Sequence, residues 1–279
     1  MSKRHNSRRH HGLRAVVGAC VAAIALVALT AAYVHEPGGS TPPDSVALPA
    51  GGTLPAGRTS NVAVFSAPRS SGVTTQARGS STYTPIVQNV AARSTPSATS
   101  RIVARLTTRT PEGTTTLVPV LKRVKRGGAL WLKIGLPVLP NGTTGWVPRT
   151  ATGGYGFLST RLEISRTTLR AVLYRGNKQL LSAPIGIGQT KWPTPTGRFI
   201  IRNKLTKYAS PTYGPIAFGI SARSAVLTDW PAGGFIGIHG TNQPQLIPGR
   251  ISHGCIRLRN TDILKLARLM PIGTAVMIQ

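Results

Sequence analysis

From residue 117 to the C-terminus the β-prone residues come in short runs cut by Gly, Pro and Asn, and that punctuation restricts the chain to short strands joined by tight turns. The runs are residues 117–121, 129–134 and 142–147, then 161–164, 169–174, 179–181, 197–201, 216–220 and 234–238, with an earlier one at 61–65. Arg175-Gly176-Asn177-Lys178 supplies a tight turn between two of them. Helical spacing shows in one place. Ile263, Leu264, Ala267 and Met270 share a face, Asn260 can cap it, Asp262 suits the positive end of its dipole, and Pro271-Ile272-Gly273 stops it. Residues 274–278 read as a closing strand. The expectation is a mainly β fold with one or two short helices.

The N-terminus carries a different signal. Residues 1–14 hold Lys3, Arg4, Arg8, Arg9 and Arg14 with no acid, and residues 15–34 form an uncharged apolar run. About 20 such residues span a bilayer, and the basic flank stays cytoplasmic. The competing reading is a cleaved signal peptide, whose apolar core runs about 7–15 residues and ends in small residues. Ala31-Ala32-Tyr33-Val34-His35 fits that site poorly, so the expectation is a retained single-pass anchor, with Cys20 a small hydrophobe inside it and everything after Tyr33 extracytoplasmic. Residues 35–60, rich in Pro, Gly, Ser and Thr, read as a flexible linker. Residues 61–150 then read as a small β module and 157–279 as a second β domain. Residues 66–100 are Ser/Thr-rich and poorly patterned, so the module either begins late or contains a long loop.

Lys and Arg number 34 against 6 Asp and Glu, a formal charge of +28. Such a surface seeks polyanions, which outside the cytosol means anionic wall polymers or lipid head groups. Aromatic residues are few and no nucleic-acid-binding signature is present, so nucleic acid is set aside as a partner. A solvated surface that aids solubility is the plain alternative.

Past the linker the chain has one cysteine and two histidines, and all three lie between His239 and Cys255. Exported domains usually carry cysteines in pairs, so the lone Cys255 suggests a reactive thiol or an intermolecular bridge, and the imidazoles favour the thiol. His239 ends one apolar strand and Cys255 heads another, across a loop that Pro244, Pro248 and Gly249 would fold back. If the loop closes, His239 Nε2 reaches the sulfur and holds it as thiolate. The C-terminal domain offers three acids, Glu163, Asp229 and Asp262, and none is an evident orienter, so a backbone carbonyl, with Gly240 nearest, is expected to fix the imidazole. Gly254 suits a turn whose amides, with that of Cys255, form an oxyanion hole. Zinc is the chemical rival, since two His and a Cys are also its ligands, although no fourth ligand is obvious. Structural histidines beside an inert buried cysteine are the other alternative. The reading favoured is a thiol enzyme that needs neither metal nor cofactor.

At these residues a resemblance appears. His239-Gly240-Thr241-Asn242 followed by Ser252-His253-Gly254-Cys255-Ile256-Arg257-Leu258 resembles the active-site signature of the L,D-transpeptidase catalytic domain, the YkuD family, and Pro193-Thr194-Pro195-Thr196-Gly197-Arg198-Phe199 resembles its upstream segment. The 131–147 segment resembles the closing strands of bacterial SH3-like modules. The first resemblance implies a mostly β domain over 157–279 that transfers peptidoglycan stem peptides with loss of a terminal D-residue. It makes Cys255 the nucleophile and His239 its base, has Gly240, His253 and Gly254 line the site, fills the family's Ser/Thr position with Ser252, and makes Arg257 a substrate contact. The function so implied is wall cross-linking by acyl transfer from a donor tetrapeptide stem to an acceptor amine. A hydrolase of the L,D-carboxypeptidase type and a non-catalytic wall-binding protein remain alternatives. Transfer and hydrolysis differ in how well the loops around Lys191, Trp192 and 241–251 exclude water.

Overall fold

The computed structural model describes residues 80–206, 210–227 and 234–279. The expected strand at 61–65, the apolar run at 15–34 and the linker lie outside the described residues. Among those described, no helix is long and apolar enough to cross a membrane.

Among the described residues the fold is mainly β with one α-helix. A seven-stranded sheet comprises β1 (Ser81–Pro85), β2 (Val90–Arg93), β3 (Ile102–Leu106), β4 (Leu117–Arg126), β5 (Ala129–Gly135), β6 (Thr144–Pro148) and β7 (Gly156–Leu158), in the order β3-β2-β6-β5-β4-β1-β7. Here β4 and β5 fall where the residue runs place strands, and β6 starts two residues late. The poorly patterned 66–100 segment nevertheless contains β1 and β2. They escape a periodicity reading because they are four or five residues long, Ser-Thr-Tyr-Thr-Pro and Val-Ala-Ala-Arg, and their burial depends on neighbouring strands. The inward residues Ala92, Val118, Val120, Leu132, Ile134 and Val147 form this sheet's core.

The second sheet comprises β8 (Thr160–Ser165), β9 (Arg170–Arg175), β10 (Lys178–Pro184), β11 (Gly186–Gly188), β12 (Gly197–Leu205), β13 (Ala217–Arg223), β14 (Phe235–His239), β15 (Gly249–Ser252), β16 (Ile256–Arg257) and β17 (Ala275–Ile278). Its order is β10-β9-β8-β17-β12-β13-β14-β16-β11-β15. Alternation explains the strands: Thr160, Leu162 and Ile164 of β8 are buried while their neighbours are half-exposed, so one face enters the core. Phe218, Ile220, Ile236, Ile238 and Ile256 continue that core to the strands that carry the site.

Helix α1 (Asn260–Leu269) packs Ile263 and Leu266 inward, with Met270 just beyond its end. Two details differ from the sequence reading. The buried stripe runs through Leu266, at i+3 from Ile263, whereas Leu264 is 39% exposed, because one residue along a helix turns about 100° away from the core. Asn260 is the first helical residue and Arg259 holds the cap position without a side-chain bond. The Asn260 amide oxygen instead accepts the Thr241 N–H at 2.9 Å, tying the segment after His239 to the helix start.

The two sheets belong to one compact unit and are joined by polar contacts. Arg202 of β12 meets Glu112 of the β3–β4 connection at 2.9 Å, and Asn203 Nδ2 donates to Thr114 Oγ1 at 3.2 Å. Asn141 clasps the Arg223 backbone in β13, accepting its N–H at 2.9 Å and donating to its carbonyl at 2.7 Å.

Candidate active site

Parallel pairing assembles the site. β14 and β16 run side by side with Ile238 opposite Ile256 and His239 opposite Arg257. Gly237 is thereby level with Cys255, and its N–H donates to Cys255 Sγ at 3.4 Å. The point where a Cβ would stand on Gly237 lies 3.7 Å from His239 Cδ2 and 3.8 Å from Cys255 Sγ. Imidazole and thiol thus border the same small space above a glycine.

His239 is 2% exposed. Its Nδ1 lies 2.6 Å from the Gly240 carbonyl oxygen. A carbonyl only accepts, so Nδ1 carries the hydrogen and Nε2 keeps a free lone pair. Gly240 is the orienter named from sequence. The Tyr213 ring lies 4.6 Å from the imidazole and backs it. Burial holds the His239 pKa down to about 4, against the raising effect of the Gly240 carbonyl, and Arg257 pushes it further down.

Cys255 is partly exposed as a residue, but burial around its sulfur pushes the thiol above its ordinary value, opposed by the Gly237 N–H and by Arg257. The pair therefore rests as neutral imidazole and neutral thiol. This differs from the thiolate expected from sequence, because enclosure disfavours both charges and, among the described residues, no acid compensates.

The turn that presents Cys255 is pinned on both sides. Ser252 Oγ donates to the Cys255 carbonyl at 2.5 Å and accepts the Gly254 N–H at 3.1 Å. Gly254 has φ 114°, a conformation that side chains rarely adopt. Thr194 Oγ1 donates to the Gly254 carbonyl at 2.8 Å and accepts the Gly188 N–H at 2.9 Å. The Gly254 amide, expected to face substrate, is thus engaged by Ser252.

Around the sulfur the rim is cationic. His253 is exposed and its ring lies 4.1 Å from that of Trp192, over which Lys191 Nζ sits at 4.8 Å. Partial burial, then Arg257 and Lys191, depress the His253 pKa. Arg257 Nε is buried with no hydrogen-bond partner. A donor left so costs about 1–3 kcal/mol, which an incoming acceptor would recover. A narrow cavity of about 20 Å³ beside the thiol is lined by Ser224, Phe235, Ile236, His253 and Cys255 among others. Among the described residues, no three His, Cys, Asp or Glu side chains are grouped as a metal would need.

The structure adds residues that sequence reasoning passed over. Gly237 was signalled by its place inside a strand, where glycine often marks a close approach. Thr194 sits in the upstream motif without an assigned role. Phe235 has two guanidinium groups over its ring, Arg202 at 3.6 Å and Arg223 at 4.6 Å from the ring centre, and these are the arginines gripped by Glu112 and Asn141. The one signal for Glu112 was that it is the sole acid between residues 61 and 158.

Residues 159–278 match the family model of YkuD, the L,D-transpeptidase catalytic domain. The chain is 34% identical over 117 residues to the putative L,D-transpeptidase YkuD of Bacillus licheniformis, covering 42% of this chain and 62% of that protein. It is also 34% identical over 131 residues to the probable L,D-transpeptidase YbiS of Escherichia coli K12, covering 40% and 42%. The chain thus spans about three fifths or less of the length of these curated relatives. Among solved structures, the catalytic domain from E. faecium L,D-transpeptidase is 24% identical, with 43% of this chain and 96% of that one covered and a TM-score of 0.34.

Proposed function

We propose, from the YkuD-type catalytic domain that residues 159–278 match, that this protein is a peptidoglycan L,D-transpeptidase. The observation that carries the reading is the contact of His239 Nδ1 with the Gly240 carbonyl, which leaves Nε2 basic on the side of Gly237 and Cys255. In the acylation step Nε2 takes the thiol proton while Cys255 Sγ attacks the carbonyl of the L-to-D linkage in a donor tetrapeptide stem. With the Gly254 amide engaged by Ser252, the developing oxyanion falls to the Cys255 N–H. The tetrahedral adduct collapses with scission of the C–N bond, and the imidazolium gives its proton to the departing D-amino acid. An acceptor amine then attacks the thioester and loses a proton to Nε2. The thiolate leaves and is reprotonated by the imidazolium, so neither metal nor cofactor enters.

Starting from a neutral pair suits this sequence: charge arises only as the attack proceeds, and an enclosed site then holds it next to donors instead of water. Arg257 and Lys191 give the rim the charge that suits a carboxylate-bearing stem. The same reading places the domain on the wall side of the membrane, held by an anchor at 15–34 through the 35–60 linker and the β module at 61–150, itself SH3-like.

The test is mass spectrometry of the full chain in detergent with a purified disaccharide-tetrapeptide, beside Cys255→Ala. Expected are a thioester on the wild type alone and a product equal to two substrates less one D-alanine. Tripeptide with free D-alanine and no dimer would make the protein a hydrolase. Binding without turnover would leave a wall-binding protein.

A further inference from the structure

The register of the first sheet aligns four side chains in one row. Arg93 of β2 pairs with Trp146 of β6, Trp146 with Lys133 of β5, and Lys133 with Lys122 of β4. Directly paired residues share a face, and this one is opposite to Ala92, Leu132 and Val147, which fill the core. Lys122 is exposed and the other three are half-buried. With strands about 4.8 Å apart, the row crosses roughly 14 Å of surface. Arg126 prolongs it toward the tip of the β4–β5 hairpin, where residues 121–130 are exposed but for Val124.

Among the described residues, no acid forms an ion pair with these charges. Residues 80–158 contain seven arginines and three lysines against one acid, Glu112, and Glu112 is taken by Arg202. Lysines placed directly opposite one another repel and weaken the pairing. An arrangement that sets Lys122 against Lys133, with an indole and then a guanidinium beside them, is relieved when an anion lies across it.

We propose that this face of the first sheet binds an anionic glycan. A pyranose ring stacks its polarised C–H groups on the half-exposed Trp146 indole, and carboxylate or phosphate groups along the chain lie against Arg93, Lys133 and Lys122. A single aromatic platform flanked by cations suits a sugar better than a nucleic-acid strand, which takes several stacking side chains in succession. A bilayer would meet the exposed Leu130 at the hairpin tip instead of the row.

The surface is independent of Cys255, so its test does not turn on the reaction. The full chain with Cys255→Ala, in uncharged detergent micelles, is titrated with polygalacturonate oligomers, neutral dextran, an oligothymidylate and phosphatidylglycerol vesicles. Thermal melts establish that each variant is folded. Expected are binding to polygalacturonate that weakens with salt, no binding to dextran, a loss of at least tenfold in K122E/K133E, and about fivefold in Trp146→Ala. Lys122 is exposed, so K122E alone keeps the test alive should Trp146→Ala not fold. Polygalacturonate affinity unchanged in K122E/K133E would overturn the proposal. So would a Trp146→Ala variant that binds as before, or oligothymidylate or vesicles bound more tightly through the same lysines.

Discussion

At the scale of single residues, the site depends on keeping His239 neutral with one nitrogen fixed. Its folded pKa of about 4 lies below the ordinary value of 6.5, so between those limits the unfolded chain takes up the proton first. Stability from this group is therefore complete above about pH 6.5 and is lost as pH falls toward 4, by up to about 3 kcal/mol. Denaturant midpoints at pH 7 and pH 4.5 should show that loss in the wild type, and His239→Asn should flatten it. Cys255, held above the ordinary thiol range by burial, should react with iodoacetamide only slowly near neutral pH, with a rate still rising where an exposed thiol has levelled off. Gly237→Ala separates geometry from stability. Its methyl would make ordinary contacts with imidazole and sulfur, so the melting temperature should hold or rise, while turnover falls at least tenfold because the space between base and nucleophile is filled. Unchanged turnover in that variant would mean that the proton does not pass there. The chain itself announced His239, Cys255 and the Gly240 carbonyl, since a lone thiol, two imidazoles and no acid evident as an orienter leave few other partners. It did not announce that Ser252 engages the Gly254 amide, because a short side-chain bond depends on the turn's actual dihedrals.

Among the elements, two connections of the first sheet reach strands β12 and β13 of the second and converge on Phe235 beside the thiol. Glu112 draws Arg202 over one side of that ring and Asn141 fixes the backbone of Arg223, whose guanidinium lies over it too. Arg202 is 3% exposed. Burial alone would raise the Glu112 pKa, but the Arg202 charge together with hydrogen bonds from Arg202, Thr110 and the Glu112 backbone outweighs it and the carboxyl stays below its ordinary value. Its contribution to stability is present above that ordinary value and is lost as pH falls through the lowered one. Glu112→Gln leaves a buried guanidinium without its counter-charge and should lower stability by about 3 kcal/mol, read as a shifted urea midpoint. If the grip also positions Phe235, the Cys255 alkylation rate will change in the same variant under conditions where it remains fully folded. Strands β4 to β6, β8 to β10, β12 to β14 and β17 were legible in local runs, because a face turned to the core writes its alternation into the chain. β1 and β2 were not, since they are short and their residues gain burial from the neighbouring strands β4 and β7, and β3 and β6.

For the molecule as a whole, the charge of +28 predicts association with anionic surfaces that weakens steeply with salt. Residues 15–34 predict something salt does not reverse: the full chain should stay in the membrane fraction after a high-salt wash, and a form starting at residue 35 should not. A mature protein found by N-terminal sequencing to begin just past residue 34 would instead establish a cleaved leader. What the sequence by itself determined is therefore the mainly β character, the basic charge, the lone thiol with an imidazole near it and the family signature, all properties written in residue types and short spacings. Tertiary structure decided the rest: the parallel pairing that sets Gly237 level with Cys255, the enclosure that leaves both reacting groups neutral, and the Glu112–Arg202 contact across 90 residues of chain. Those depend on which strands become neighbours and how much water they exclude, and neither quantity is local.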